Sequence, residues 1–198
     1  MKLPEEFYQG ANVVEIARNL LGKGLFTRKK KVVTGGIIVE TEAYSWKERG
    51  CHAFNARKTD RNAIMFEAGG HSYVYLCYGI HHLFNVVTNV AGTADAVLIR
   101  ALEPQEGLEE MKKRRGALAN PFHLTSGPGK LSKALGIDRS FNGKFLLNDD
   151  VWIEDLGKKI AKADIEASPR IGIDYAGEDA LLPWRFTIKN NLWVSRRP

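Results

Sequence analysis

Three apolar runs separated by very short connections constrain this chain more than anything else in it. Residues 72–78, 82–90 and 95–102 carry the β-branched and aromatic side chains of strands, with turn residues Gly79-Ile80 and Ala91-Gly92-Thr93 between them. A parallel pair would need a crossover of about a dozen residues or more, so these runs can only double back on one another. The spacing predicts an antiparallel meander, with Tyr73, Tyr75 and Tyr78 crowded onto its first strand and the turn that follows.

The flanking sequence adds helices and a second hairpin. Val13, Ile16, Ala17, Leu20 and Leu21 recur at helical spacing, with Asn12 and Glu15 as a capping pair and Gly22 as the stop. Residues 24–44 turn β-like, with Val32-Val33 and Ile37-Ile38-Val39 around Gly35-Gly36, which predicts a bulge in a long hairpin arm. Arg28-Lys29-Lys30-Lys31 then reads as its solvated tip. Residues 45–70 lack periodicity and are expected to form a long irregular connection carrying His52, Arg61, Asn62, Met65 and Phe66, the kind of loop that is usually functional. Pro104 and Glu106 are expected to open a short helix with Leu108 and Met111 inward, a basic last turn and Gly116 as its end. From Val151 short strands are expected, ending with 184–188 and 192–194. The fold class is α+β, expected as a single mixed domain over residues 1–198, a length that can bury a core.

Charge and cysteine usage narrow the function classes. Twenty-nine Lys and Arg against 23 Asp and Glu give a net charge of +6, which favours a polyanionic partner. Arg57-Lys58-Thr59-Asp60-Arg61 and Lys112-Lys113-Arg114-Arg115 are the better phosphate candidates. Cys51 and Cys77 show no C-x-x-C spacing, so neither a disulfide scaffold nor structural zinc is supported. His81-His82 would point to opposite faces of a strand, and H-E-x-x-H and the zinc-deaminase pattern are absent; no metal and no cofactor are expected. Thr125-Ser126-Gly127-Pro128-Gly129-Lys130-Leu131 departs from the phosphate-loop pattern at its first Gly and its last position. Backbone amides at Lys130, where a helix can start, can still meet a nucleic-acid phosphate. The first residues lack the apolar core of a signal peptide, and no apolar run approaches the ~20 residues of a membrane helix, so an intracellular location in cytoplasm or nucleoid is expected.

The chemistry-bearing residues concentrate in two stretches. Val39-Glu40-Thr41-Glu42-Ala43-Tyr44 places two carboxylates and a tyrosine on one strand face, and the spacing leaves open whether Glu40 or Glu42 is the general base. Burial on an apolar strand would raise a carboxylate's pKa and suit it to taking a proton from water. Tyrosines stack bases at roughly 1–3 kcal/mol each, and Tyr78 beside the turn can act as a wedge. Taken singly, Tyr73 reads more readily as a core residue. His52 reads either as a hydrogen-bond or phosphate contact or as a surface histidine.

In order and spacing, Val39–Tyr44, Asp60-Arg61-Asn62 with Met65-Phe66, Tyr73–Gly79 and Arg100-Ala101-Leu102-Glu103-Pro104 resemble the alkyladenine (3-methyladenine) DNA glycosylase family, and Ser126–Leu131 and Arg170-Ile171-Gly172 extend the resemblance over most of the chain. The resemblance implies a curved antiparallel sheet with flanking helices and a protruding hairpin that enters DNA. It implies a monofunctional glycosylase of base excision repair that flips alkylated or deaminated purines (3-methyladenine, 7-methylguanine, hypoxanthine, ethenoadenine) from double-stranded DNA and hydrolyses the N-glycosidic bond without lyase activity. By position, Glu42 would be the general base and Arg100 would hold the water; Tyr44 and His52 would enclose the base against Tyr75. Asn85 would exclude guanine and Tyr78 would fill the vacated stack. Arg61, Asn62 and Lys130 are the expected DNA contacts, and the protein is expected to act as a monomer. The competing readings are a non-catalytic damage-sensing or DNA-bending module, a single-strand RNA binder and a hydrolase of free nucleosides.

Overall fold

The computed structural model describes residues 1–195, so the last three positions of the expected 1–198 domain lie outside the described residues. The helices are α1 (Glu5–Tyr8), α2 (Val13–Asn19), α3 (Leu108–Arg115) and α4 (Pro128–Leu135). The strands are β1 (Gly24–Lys29), β2 (Val32–Tyr44), β3 (Ser72–Cys77), β4 (His81–Thr88), β5 (Asp95–Glu106), β6 (Val151–Glu154), β7 (Ile165–Ser168) and β8 (Arg185–Ile188). They form one antiparallel sheet in the order β3-β4-β5-β2-β1-β6, with β8 beside the second half of β2 and β7 beside β8. The architecture is α+β, and the meander over β3, β4 and β5 is the one the short turns predict.

Local signals account for most boundaries. The Asn12 side chain accepts from the amides of Val14 and Glu15 and starts α2, and Gly22 follows its end at φ 83°. Lys30 and Lys31 both take positive φ and make the tight turn between β1 and β2, so that basic run is a hairpin tip. Three expectations need correction. Pro104 and Glu106 lie within β5, which continues to Glu106, and the helix begins only after Gly107 turns the chain at φ 72°. Within it Met111 is fully buried but Leu108 is 41% exposed, because the register starts later. Residues 192–194 form a turn packed on the sheet and not a strand.

One face of the sheet carries the main core. Ile38, Ala43, Val74, Phe84, Val86, Val97 and Ile99 pack there against Val13, Ile16 and Ala17 of α2 and Leu131, Ala134 and Leu135 of α4. The opposite face of β3, β4 and β5 is covered by the 45–70 connection, through Cys51, Ala53, Met65, Tyr73, Val87 and Ala96. Two irregularities in the β2–β5 pairing decide which residues reach that second layer. Ile38 pairs with Leu102 and Glu40 with Ala101, so Val39 is the extra residue of a bulge; Glu40 pairs with Ala101 and Thr41 with Ile99, so Arg100 is extra on the other strand. A bulge shifts the alternation of the strand by one. Beyond it Thr41 and Ala43 face the helices, with the Thr41 hydroxyl donating to the Ala17 carbonyl, while Glu40, Glu42 and Tyr44 turn the other way to meet Arg100. Without that shift the carboxylates would point into the apolar core.

Candidate active site

The second layer encloses a cavity of about 600 Å³, within the range of small-molecule sites. Tyr44, His52, Tyr75, Asn85, Arg100 and Ile171 are among its lining, with Arg61 and Tyr78 at its mouth. Tyr75 and His52 meet edge to face with ring centres 4.6 Å apart, and His52 Nδ1 lies 2.9 Å from the Tyr73 hydroxyl. Burial, joined by the Arg61 charge, holds the His52 pKa down to about 4, so the imidazole is neutral near neutral pH although it stays open at the rim. Burial also keeps the Tyr73 and Tyr75 phenols protonated, Tyr73 at about 12.

Behind the cavity wall that Tyr44, Arg100 and Ile171 form, the two carboxylates of β2 have different surroundings. Glu40 Oε1 accepts from Arg100 Nε and Arg185 Nε, each at 2.8 Å, and from the Ser195 hydroxyl at 2.9 Å; Oε2 accepts from the Ser195 amide at 2.7 Å. Burial alone would raise the Glu40 pKa, but the two guanidinium groups and these hydrogen bonds outweigh it and hold it below the ordinary carboxylate value. The expectation that burial raises a carboxylate here is thus overturned for Glu40, which accepts four hydrogen bonds, two of them from guanidinium groups.

Glu42 is fully buried too, yet fewer groups hold it. Its Oε2 accepts from the Tyr44 hydroxyl at 2.8 Å and faces Arg100 Nη1 at 3.2 Å, and its Oε1 accepts from the Ile171 amide at 2.8 Å. A carboxylate has about four lone-pair sites, so one acceptor position on Oε1 has no partner among the described residues. Burial first, then the neighbouring Glu42 charge, push the Tyr44 phenol well up, so Tyr44 acts as a donor to Glu42. All three partners, Tyr44, Arg100 and Ile171, line the cavity.

The structure brings Glu42, Tyr44, His52, Tyr75, Asn85 and Arg100, the residues the resemblance singled out, close together. Asn85 is buried at the cavity wall and donates to the Tyr73 carbonyl at 3.1 Å. Tyr78 lies beyond the end of β3 in the turn, at φ 50° and 89% exposed, and the flanking Ile80 is 72% exposed. Arg61 is exposed above the Tyr75 ring at 5.1 Å. Lys130 is half-buried in the first turn of α4. Asn62 differs from expectation, being buried with its amide donating to the His52 and Arg57 carbonyls and its oxygen accepting from Thr59, so it braces the loop and does not face outward. Sequence reasoning gave no role to the Ile171 amide, to Tyr175 at the cavity mouth or to the Ser195 contacts on Glu40. The Arg170-Ile171-Gly172 motif was the one available signal.

An aromatic cavity backed by a buried carboxylate and guanidinium, with an exposed tyrosine at its lip on a basic chain, has the make-up of an enzyme site for a flat, polar ring. A model of the family described as methylpurine-DNA glycosylase (MPG) matches residues 6–192. A protein of Bacillus cereus (strain G9842) named "Putative 3-methyladenine DNA glycosylase" is 44% identical across the whole of both chains. One of the same name from Chlamydia felis (strain Fe/C-56) is 46% identical over 188 residues, 94% of this chain and 95% of the relative. The chain belongs to the methylpurine-DNA glycosylase family and is a DNA glycosylase, a hydrolase of DNA repair.

Proposed function

We propose that this protein flips alkylated or deaminated purines, 3-methyladenine, 7-methylguanine, hypoxanthine and ethenoadenine, from duplex DNA and hydrolyses their N-glycosidic bond with a water activated by Glu42. The observation that carries the assignment is the contrast at β2, where Glu40 takes four donors from Arg100, Arg185 and Ser195, while Glu42 is held only by Tyr44, Arg100 and Ile171, all of which line the cavity. In the reaction, water transfers a proton to Glu42 as its oxygen bonds to the sugar carbon. The carbon–nitrogen bond breaks and its electron pair leaves with the purine. The carboxylate also stabilises the positive charge that develops on the sugar, as in glycoside hydrolysis. Arg100 aligns the water.

With the His52 and Tyr75 rings 4.6 Å apart no base fits between them, so, unlike the expected pairing of Tyr44 with His52, Tyr44 on one side and His52 with Tyr75 on the other enclose the flipped base; Asn85 tests its edge, and Tyr78 enters the vacated stack. Arg61 and Lys130 meet phosphates. No lysine is assigned a Schiff-base role, so the strand is left uncut. The protein acts as a monomer where DNA is found, inside the cell.

The test is single-turnover release of free base from duplexes containing hypoxanthine or 3-methyladenine. Release is expected; binding of the lesion without release would favour a damage-sensing module instead.

A further inference from the structure

Behind the Tyr44 ring lies a second charged assembly that none of these roles uses. The Arg170 side chain is fully buried and forms a two-pronged pair with Glu48, Nη1 to Oε1 at 2.6 Å and Nη2 to Oε2 at 2.8 Å. The same nitrogens donate to the Ala43 carbonyl at 2.9 Å and the Asp179 carbonyl at 3.0 Å. The guanidinium carbon is 4.7 Å from the centre of the Tyr44 ring and 5.3 Å from that of Trp184. The amide of the very next residue, Ile171, is the donor on Glu42 Oε1. Glu48 is fixed in turn by the Gly50 amide at 2.7 Å, and a Cβ at Gly50 would come within 2.8 Å of Glu48 Oε2.

A buried ion pair is weak evidence of a stabilising role, since apolar replacements of similar volume are often neutral or better. This pair also carries a cost, because Arg170 Nε is buried without a hydrogen-bond partner among the described residues. Its geometry has a use nonetheless. Two of the three groups on Glu42, the Tyr44 hydroxyl and the Ile171 amide, adjoin Arg170, one through the ring its guanidinium covers and the other through the chain.

We propose that Arg170, locked by Glu48, is a positioning residue for base excision, fixing the Tyr44 hydroxyl and Ile171 amide that aim the Glu42 carboxylate. The proposal rests on Glu42 as the general base. Groups that orient metal ligands from behind typically contribute 10- to 100-fold, and an effect of the same order is expected for a carboxylate oriented in the same way.

The test replaces both charges at once, Glu48→Met with Arg170→Met, so that no buried charge is stranded. Circular dichroism reports folding, binding to a hypoxanthine duplex reports recognition, and single-turnover excision at saturating enzyme reports the reaction. The expected result is a folded variant that binds the lesion close to the wild-type affinity and excises roughly 10- to 100-fold more slowly. A folded variant with the wild-type rate, or one whose loss lies wholly in binding, overturns the proposal. Should the double variant not fold, Glu48→Gln, which keeps an oxygen for Arg170, is judged by the same criteria with a smaller expected loss. Glu42→Gln is measured alongside: full activity there overturns the general base itself, whereas inactivity there with wild-type excision in the Arg170 variants overturns only the positioning role.

Discussion

The buried end of β2 and the turn between β3 and β4 face the same cavity and are built on opposite rules. Around Glu40 and Glu42 nearly every polar atom is fixed by a partner, from Arg100, Arg185, Tyr44, Ile171 or Ser195. At the turn, Tyr78 takes a left-handed φ and projects an aromatic ring into solvent, with Gly79 at φ 70° and nothing within 4 Å of its Cβ position. Charges taken out of water tolerate no slack, since an unpaired one costs several kcal/mol, whereas a side chain meant to enter another molecule must be held by backbone geometry alone. On the function proposed above, the difference separates the part that does chemistry from the part that opens its substrate.

The comparison breaks most visibly at Glu42. Glu42→Gln is expected to slow excision by roughly 10²- to 10⁴-fold while lesion binding persists, read by single-turnover kinetics beside a binding titration. Next in size is Glu40→Gln, which removes the carboxylate that Arg100 and Arg185 share; Arg100 still faces Glu42 at 3.2 Å, so urea unfolding is expected to show a loss of about 3 kcal/mol, the low end for a broken buried pair. Its pH signature follows from the lowered pKa of Glu40: the stabilisation is complete above the ordinary carboxylate range and is lost as acid protonates the folded-state group.

At the turn the effects are smaller and fall on a different step. Tyr78→Ala removes a stacking contribution of roughly 1–3 kcal/mol, so excision from duplex is expected to fall while affinity for undamaged DNA barely changes. Unchanged single-turnover excision would remove the wedge role. The smallest expected effect is at His52, whose folded-state pKa of about 4 lies below the unfolded value of about 6.5. The unfolded chain binds the extra proton in that window, so the stability tied to neutral His52 is full above about pH 6.5 and declines toward pH 4. Lesion binding between pH 8 and 6.5 should show no histidine step, and NMR titration of the ring would locate the pKa directly.

The meander, the capped α2 and the β1–β2 tip were legible in the sequence because short turns, an Asn cap and paired lysines act over a few residues. The Gly35-Gly36 irregularity was legible for the same reason. The bulges at Val39 and Arg100 were not, although they turn Glu40 and Arg100 toward each other, because they depend on how two distant strands pair. Period two placed both carboxylates on one face yet left the choice between them open; it is donors from β5, β8 and the Ile171 and Ser195 segments that make Glu40 and Glu42 different. Asn62 was misread for a related reason, since a polar residue in a polar loop gives no sign that it is buried as that loop's brace.

The most direct test of this division of labour is single-turnover base release from a hypoxanthine duplex by Glu42→Gln and Glu40→Gln side by side, at a temperature where both are folded. The account predicts that Glu42→Gln binds the lesion and releases almost nothing, while Glu40→Gln still excises. Release at the wild-type rate by Glu42→Gln, with none from folded Glu40→Gln, would contradict it.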